Sequence, residues 1–118
     1  MATLRRVPLI EITASRRALG GRERSAVLRA VNTAIASALS AAPDVAWSIW
    51  RDVDDGGYVI GGDSATLREE TLPPIVHVYA RRTAEEFAAI VEAVEEVLRE
   101  LLTLEGQPIL VTTQPFRA

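Results

Sequence analysis

A strand-like segment that begins on a proline occurs twice in this chain, and the repeat constrains the fold more than any other feature. Residues 8–13 read PLIEIT, and residues 74–79, which lie 66 positions later, read PIVHVY. Apolar side chains at alternate positions are typical of a strand with at least one buried face. The chain is therefore expected to contain two units of similar plan.

A helical pattern follows each of these strands. Apolar residues recur at helical spacing from Val27 to Leu39, which predicts an amphipathic helix from about 22 to 40. In the second unit Thr83 and Glu86 match a capping box, after which apolar residues form one stripe as far as Leu102. Because each helix has a single apolar stripe, both helices are expected to cover the same face of one sheet.

Two more strands complete the units. Apolar residues predict a strand at 45–53, followed by the turn sequence DDGG and a short hairpin at 58–62, and the last strand is predicted at 108–113. The segment after the first strand, 15–21, is predicted to be a loop. The expected fold is α/β (α+β): two β-α-β repeats that form a four-stranded mixed sheet with two helices on one face.

The domain organisation follows from the repeat. Residues 1–7 are predicted to be an N-terminal extension, and residues 8–118 one domain. Within it, the predicted parts are unit one (8–62), a connection (63–73) and unit two (74–118).

The sheet face away from the helices is predicted to carry apolar side chains, among them Leu9, Trp47 and Ile75. A face of this kind needs a cover, which favours a homo-oligomer. Trp47 and Trp50 lie on opposite faces of one strand, so one is expected in the core and the other at an interface or pocket.

Composition excludes several classes of function. The net charge of −3 offers no electrostatic footprint for nucleic acid, and no apolar run has the length of a membrane span. The chain has no cysteine, which excludes disulfides and thiolate metal sites. The single histidine, His77, is expected to be a packed or interface residue, and neither a metal nor a cofactor is predicted. The default compartment is the cytoplasm.

A β-α-β unit that begins on proline and closes with a glycine-rich hairpin resembles the tautomerase superfamily, whose reference member is 4-oxalocrotonate tautomerase. The most telling segment is 46–62, AWSIWRDVDDGGYVIGG. In it Asp52 takes the acidic place of the family pattern, Tyr58 the aromatic place, and residues 60–62 the closing glycine pair. The doubled chain is similar to the fused branch of this family.

The resemblance implies a proton-transfer enzyme that acts on small enolisable α-keto acids, assembled as a homo-oligomer, with a trimer favoured. Its catalytic base would be an N-terminal proline, here Pro8. Arginines would bind the carboxylates of the substrate. The implied binding residues are the loop arginines, the aromatic wall and the arginines after the second strand: Arg16, Arg17, Trp47, Tyr58, Arg81 and Arg82. Solvated loop charge explains Arg81 and Arg82 equally well.

Pro8 is a base only if its nitrogen is a free amine, because a proline inside a chain is a tertiary amide. Valine can be encoded by GTG, an alternative start codon, and the alanine-rich chain with thirteen arginines and no lysine is typical of GC-rich coding DNA. Translation from position 7, with loss of the initiator methionine, would leave Pro8 N-terminal. Translation from Met1 would give a chain without that catalytic amine.

Two other interpretations stay open. In one, the chain is a tautomerase-fold protein that lacks the free catalytic proline and has a structural or repurposed ligand-binding role. In the other, it is a ferredoxin-like binding module, which has the same order of elements. An acidic group among Asp52, Asp54 and Asp55 could activate water, although turn chemistry explains the last two as well.

Overall fold

The computed structural model describes residues 7–58, 72–104 and 106–115. In chain order its main elements are β1 (Leu9–Ala14), α1 (Arg24–Ala38), β2 (Trp47–Asp52), β3 (Ile75–Ala80), α2 (Ala84–Leu101) and β4 (Leu110–Pro115). Each was predicted from the sequence. The last strand begins two residues later than predicted, and β2 is shorter at both ends. The predicted hairpin at 58–62 falls largely outside the described residues.

The strands form one mixed sheet in the order β2-β1-β3-β4. Strands β1 and β2 pair in parallel, β3 and β4 pair in parallel, and the two units meet where β1 and β3 pair antiparallel. This confirms the predicted architecture. The two parallel strands of each unit are direct neighbours, whereas a ferredoxin-like fold splits them. The ferredoxin-like alternative is therefore wrong.

One core lies between the sheet and the two helices. Alternate residues of β1 and β3 are fully buried beneath them, and apolar residues of both helices pack on these side chains. The fully buried members with the largest side chains are Ile10, Ile12, Val76 and Val78 from the strands, and Val27, Val31, Ile35, Ile90, Val94 and Leu98 from the helices. Both helices thus cover the same face, as their single stripes predicted.

The two helices begin differently. At α2 the hydroxyl of Thr83 accepts a hydrogen bond from the Glu86 amide at 3.2 Å, and the Glu86 carboxylate accepts one from the Thr83 amide at 3.2 Å. This is the predicted capping box. At α1 the N-cap residue is Glu23, whose side chain makes no capping hydrogen bond. The start of α2 is therefore better stabilised than the start of α1.

The segment after β1 is more ordered than the predicted loop. It contains a short 3₁₀ helix, Arg16–Leu19, which buries Ala18 and Leu19 and ends at Gly20 in the left-handed conformation. The amide of Thr103 donates to the carbonyl of Ala18 at 2.8 Å, which ties this turn to the end of α2. The loop prediction was wrong here because tertiary burial, rather than local pattern, stabilises the turn.

Candidate functional site

Pro8 and Pro74 occupy equivalent places in the two units. Both are fully buried, and each comes directly before its strand. The carbonyl of Pro8 accepts a hydrogen bond from the Trp47 amide at 2.9 Å, and the carbonyl of Pro74 accepts one from the Leu110 amide at 2.9 Å. Each proline thus joins its central strand to the parallel edge strand of the same unit. In the full chain the nitrogen of Pro8 is bonded to Val7.

The antiparallel pairing of the central strands brings the arginines of unit two to Pro8. Leu9 is paired with Tyr79, so continuing the register places Ala80 opposite Pro8 and Arg81 opposite Val7. Neighbouring strands lie about 4.8 Å apart. Arg81 therefore follows β3 at the same end of the sheet as Pro8, and we call this end, with Trp47 and Tyr79, the Pro8 end.

The loop arginines of unit one lie elsewhere within the chain. Arg16 and Arg17 follow the C-terminal end of β1, and a strand of six residues spans roughly 20 Å. They lie near Pro74, since Thr13 is paired with Ile75. Within one chain, then, the strand register places Arg81, and not Arg16, at the end of the sheet where Pro8 lies.

The two arginines after β3 have different surroundings. Arg81 is exposed, whereas Arg82 is half-buried and donates from Nη1 to the Glu86 carboxylate at 2.9 Å. The pKa of Glu86 is lowered, first by the backbone hydrogen bond from Thr83 and then by the hydrogen bond from Arg82. Glu86 is therefore ionised at neutral pH and orients Arg82 towards the start of α2.

Two aromatic side chains lie at the Pro8 end of the open face, which is the face of the sheet away from the helices. Trp47 and Tyr79 are both paired with Leu9, one in each neighbouring strand, and Trp47 is 53% exposed. Tyr79 was not among the candidates from the sequence, because its position depends on the pairing of β1 with β3. Tyr58 is half-buried, and the residues that follow it lie outside the described part.

Asp52, a candidate for water activation, takes part in a charge cluster on the helix side of the sheet. Its Oδ2 accepts from Arg16 at 3.4 Å and from Arg24 at 3.2 Å, while its Oδ1 accepts from the Trp50 indole at 2.7 Å. Trp50 is half-buried and packs against the core, which agrees with the predicted core tryptophan, whereas Trp47 is exposed and its predicted place at an interface or pocket stays a prediction. The Asp54 carbonyl accepts from Gly57, which is turn chemistry.

His77 lies in the middle of the open face. It is paired with Glu11 in the register of β1 and β3, and its Nδ1 is hydrogen-bonded to the Thr112 hydroxyl. Arg51 lies 3.7 Å from the Glu11 carboxylate. The side chains of His77, Glu11, Thr112 and Arg51 thus form a polar row between apolar ones. The part of the chain that the structure describes holds no group of residues suited to a metal ion.

No family model and no curated protein sequence matches the chain. Solved structures do. A fused 4-OT, described as a symmetric trimer, superposes with a TM-score of 0.69 at 17% identity, over 92% of this chain and 85% of that chain. A malonate semialdehyde decarboxylase inhibited by 3-bromopropiolate gives 0.59 at 21% identity, over 92% and 82%.

A third similar structure is a member of the cis-3-chloroacrylic acid dehalogenase family, with a TM-score of 0.62, 17% identity and coverage of 92% of this chain and 74% of that chain. Identities at this level establish a shared fold and leave activity open. No helix among the described residues is long and apolar enough to cross a bilayer. The chain has the tautomerase-superfamily fold that its proline-initiated repeats resemble.

Proposed function

We propose that this protein is a tautomerase-like isomerase that moves a proton on small enolisable α-keto acids, with Pro8 as general base when Pro8 is N-terminal. One observation carries the proposal: three kinds of group lie at the Pro8 end of the sheet. They are the buried proline itself, the exposed arginine Arg81, and the aromatic residues Trp47 and Tyr79. A base, a cation for the carboxylate and an apolar wall are what this reaction needs.

The chemistry follows from these groups. A proline with a free amine takes the proton from the enol hydroxyl of the substrate, and the resulting ammonium returns a proton to the neighbouring carbon to give the ketone. The guanidinium of Arg81 binds the substrate carboxylate and stabilises the negative charge that develops on the enolate oxygen. The same positive charge disfavours the protonated amine and so favours the basic form of Pro8.

We propose further that the protein acts as a homotrimer in the cytoplasm. Support comes from the open face, where Trp47, Ile49 and Leu110 remain exposed in the single chain, and from a fused 4-OT of the same fold described as a trimer. Exposed apolar side chains of this size on one face favour burial against another copy. Light scattering tests this, and a monomer at micromolar concentration would contradict it.

A second candidate function is a tautomerase-fold protein without this chemistry. The observation that favours it is Pro74, which has the same burial and the same carbonyl hydrogen bond as Pro8 although it is internal to the chain. A proline at the start of a central strand is therefore explained by structure alone. In the chain that includes Val7, Pro8 is an amide and this second function applies.

Two proteins test the proposal: the chain 1–118 and a chain that begins at Pro8. Both are assayed for ketonisation of phenylenolpyruvate and 2-hydroxymuconate by ultraviolet absorbance. We expect activity only in the shortened protein, because only it has the amine. A Pro8→Ala version of the shortened protein keeps a primary amine at the same place, and is expected to lose roughly 100-fold in kcat/KM.

Intact mass of the protein from its native host shows which chain the cell makes. A mass that begins at Pro8 supports the enzyme. Absence of activity in both recombinant proteins, with folding verified by circular dichroism, would overturn the isomerase proposal and leave the second function.

A further inference from the structure

A cleft on the helix side of unit one is separate from the Pro8 end. It has a volume of about 680 Å³, and its lining includes Arg16, Leu19, Arg22, Arg24, Leu28 and Trp50. We call it the arginine cleft. We propose that the arginine cleft binds a small organic anion, one with a carboxylate or phosphate group on an apolar body, at a site distinct from the Pro8 end.

Positive charge is concentrated in this cleft. Three guanidinium groups and one carboxylate, that of Glu23, line the cleft, and a second carboxylate, that of Asp52, pairs with two of the arginines. The local charge is therefore positive, whereas the whole chain carries a net charge of −3. A local excess of cations in an acidic chain creates a potential that attracts an anion.

The arginines keep most of their hydrogen-bonding capacity for a ligand. Within the described part of the chain Arg16 donates through Nη2, Arg24 through Nη1 and Arg22 through Nε, the last to the carbonyl of Leu101 at 2.9 Å. Each guanidinium has five N–H donors, and a pair of them matches the two oxygens of a carboxylate or phosphate.

Asp52 shows the kind of group that the cleft accepts. Its carboxylate bridges Arg16 and Arg24 through one oxygen, while the Trp50 indole holds the other oxygen at 2.7 Å. The carboxylate is thus an internal anion held by two of the arginines that line the cleft. A ligand carboxylate or phosphate can bind the outer edges of the same guanidinium groups, with Arg22 as a third donor.

The remaining lining suits the apolar body of such a ligand. Leu19 is buried, and Leu28 and Trp50 are half-buried and pack against the core. A volume of this size lies within the range of roughly 300–1,000 Å³ that small-molecule sites occupy. An apolar floor with cations at the rim favours an organic anion over inorganic phosphate.

The arginine cleft and the Pro8 end are distinct sites of one chain. Arg16 and Trp50 lie towards the C-terminal ends of β1 and β2, and Trp50 faces the helices, whereas Pro8 comes before β1. A ligand in the arginine cleft therefore does not contact Pro8 of the same chain. The proposal accordingly holds whether or not the isomerase proposal does.

The test uses the chain 1–118, in which Pro8 is an amide, and ligands that cannot enolise to a substrate. The chain has two tryptophans, so a Trp47→Phe protein has a single indole N–H resonance, that of Trp50. This resonance is followed by NMR during titration with phenyl phosphate, benzoate and inorganic phosphate. We expect saturable shifts, with the two aromatic anions binding about tenfold more tightly than inorganic phosphate.

Substitutions identify the donors. Arg22→Gln and Arg24→Gln are each expected to weaken binding of the aromatic anions about tenfold, because each removes a charge-assisted contact. Arg99→Gln is the matched control, since Arg99 is an exposed arginine on α2 that pairs with Glu95, and it is expected to leave the Kd unchanged. Both side chains are exposed, and although the substitutions also remove the hydrogen bonds to Leu101 and Asp52, amide spectra verify that the single variants fold.

The ratio of the two aromatic Kd values decides between a carboxylate and a phosphate ligand, and tighter binding by either supports the proposal. A Trp50 resonance that does not saturate with any of the three anions would overturn it. Equal Kd values for Arg22→Gln, Arg24→Gln and Arg99→Gln would overturn it as well, because binding would then not involve the cleft.

Discussion

The two β-α-β units follow the same path yet differ at the places where chemistry could occur. Each begins with a buried proline whose carbonyl binds the first residue of the edge strand. Unit one has an arginine cleft beside Trp50, whereas the corresponding edge-strand position in unit two is Thr113, beside an acidic and apolar groove of about 580 Å³. The backbone is therefore the same at these places in both units, whereas the side chains differ.

The two prolines have the same structural role but not the same chemistry. Pro74 cannot be a base, and it still fills the place that Pro8 fills. Burial and strand geometry therefore explain both prolines, and any catalytic role of Pro8 has to come from its free nitrogen and from Arg81 beside it. The proposed activity therefore requires a chain that begins at Pro8.

The largest expected effect concerns the core that the two units share. Ile12 and Val78 are equivalent, fully buried residues of β1 and β3. We expect Ile12→Ala to lower the free energy of unfolding by about 3 kcal/mol and Val78→Ala by about 2 kcal/mol. Because the core is continuous, each substitution should destabilise both units together.

Urea unfolding followed by two probes tests this. Tryptophan fluorescence reports unit one, which contains both Trp47 and Trp50, while circular dichroism reports both helices. Val78→Ala should lower the midpoint of both signals equally. A fluorescence midpoint that stays at the wild-type value would mean that the units unfold independently.

A smaller effect is expected where the helices begin. Thr83→Ala removes the hydroxyl that caps α2 and should cost about 1 kcal/mol. Glu23→Ser supplies α1 with the cap that it lacks and should stabilise the protein by about 0.5 kcal/mol. Thermal unfolding measures both. The two substitutions are expected to change the melting temperature in opposite directions. A lower melting temperature for Glu23→Ser than for the wild type would contradict this.

The smallest effect is a pH dependence at Glu86. Its pKa is lowered in the folded protein by the hydrogen bonds from Thr83 and Arg82. A lowered pKa contributes stability that is present above the unfolded-state pKa and is lost as the pH falls through the folded-state pKa. Glu86→Gln should therefore lose less stability than the wild type between neutral pH and acid.

Melting temperatures from pH 7 downwards test this, with Glu96→Gln, an exposed glutamate of the same helix, as the matched control. The control is expected to follow the wild type. Parallel curves for Glu86→Gln and the wild type would show that the capping carboxylate contributes nothing to the acid dependence.

Features that depend on residues close in the sequence could be predicted, whereas features that depend on tertiary contacts or on the order of the strands could not. The strand Ile75–Ala80 and the capping box at Thr83 are local patterns, and both were predicted correctly. The turn Arg16–Leu19 was missed because burial of Ala18 against the rest of the fold stabilises it. The proximity of Arg81 to Pro8 depends on the antiparallel pairing of β1 and β3.

Ketonisation of phenylenolpyruvate by a chain that begins at Pro8 tests the central claim most directly, when Arg81→Gln is compared with Arg17→Gln. Arg81 lies at the Pro8 end and Arg17 at the Pro74 end. Arg81→Gln is expected to lower kcat/KM roughly 100-fold, because it removes a cation beside the developing charge, and Arg17→Gln much less. An equal or larger loss in Arg17→Gln would contradict the account.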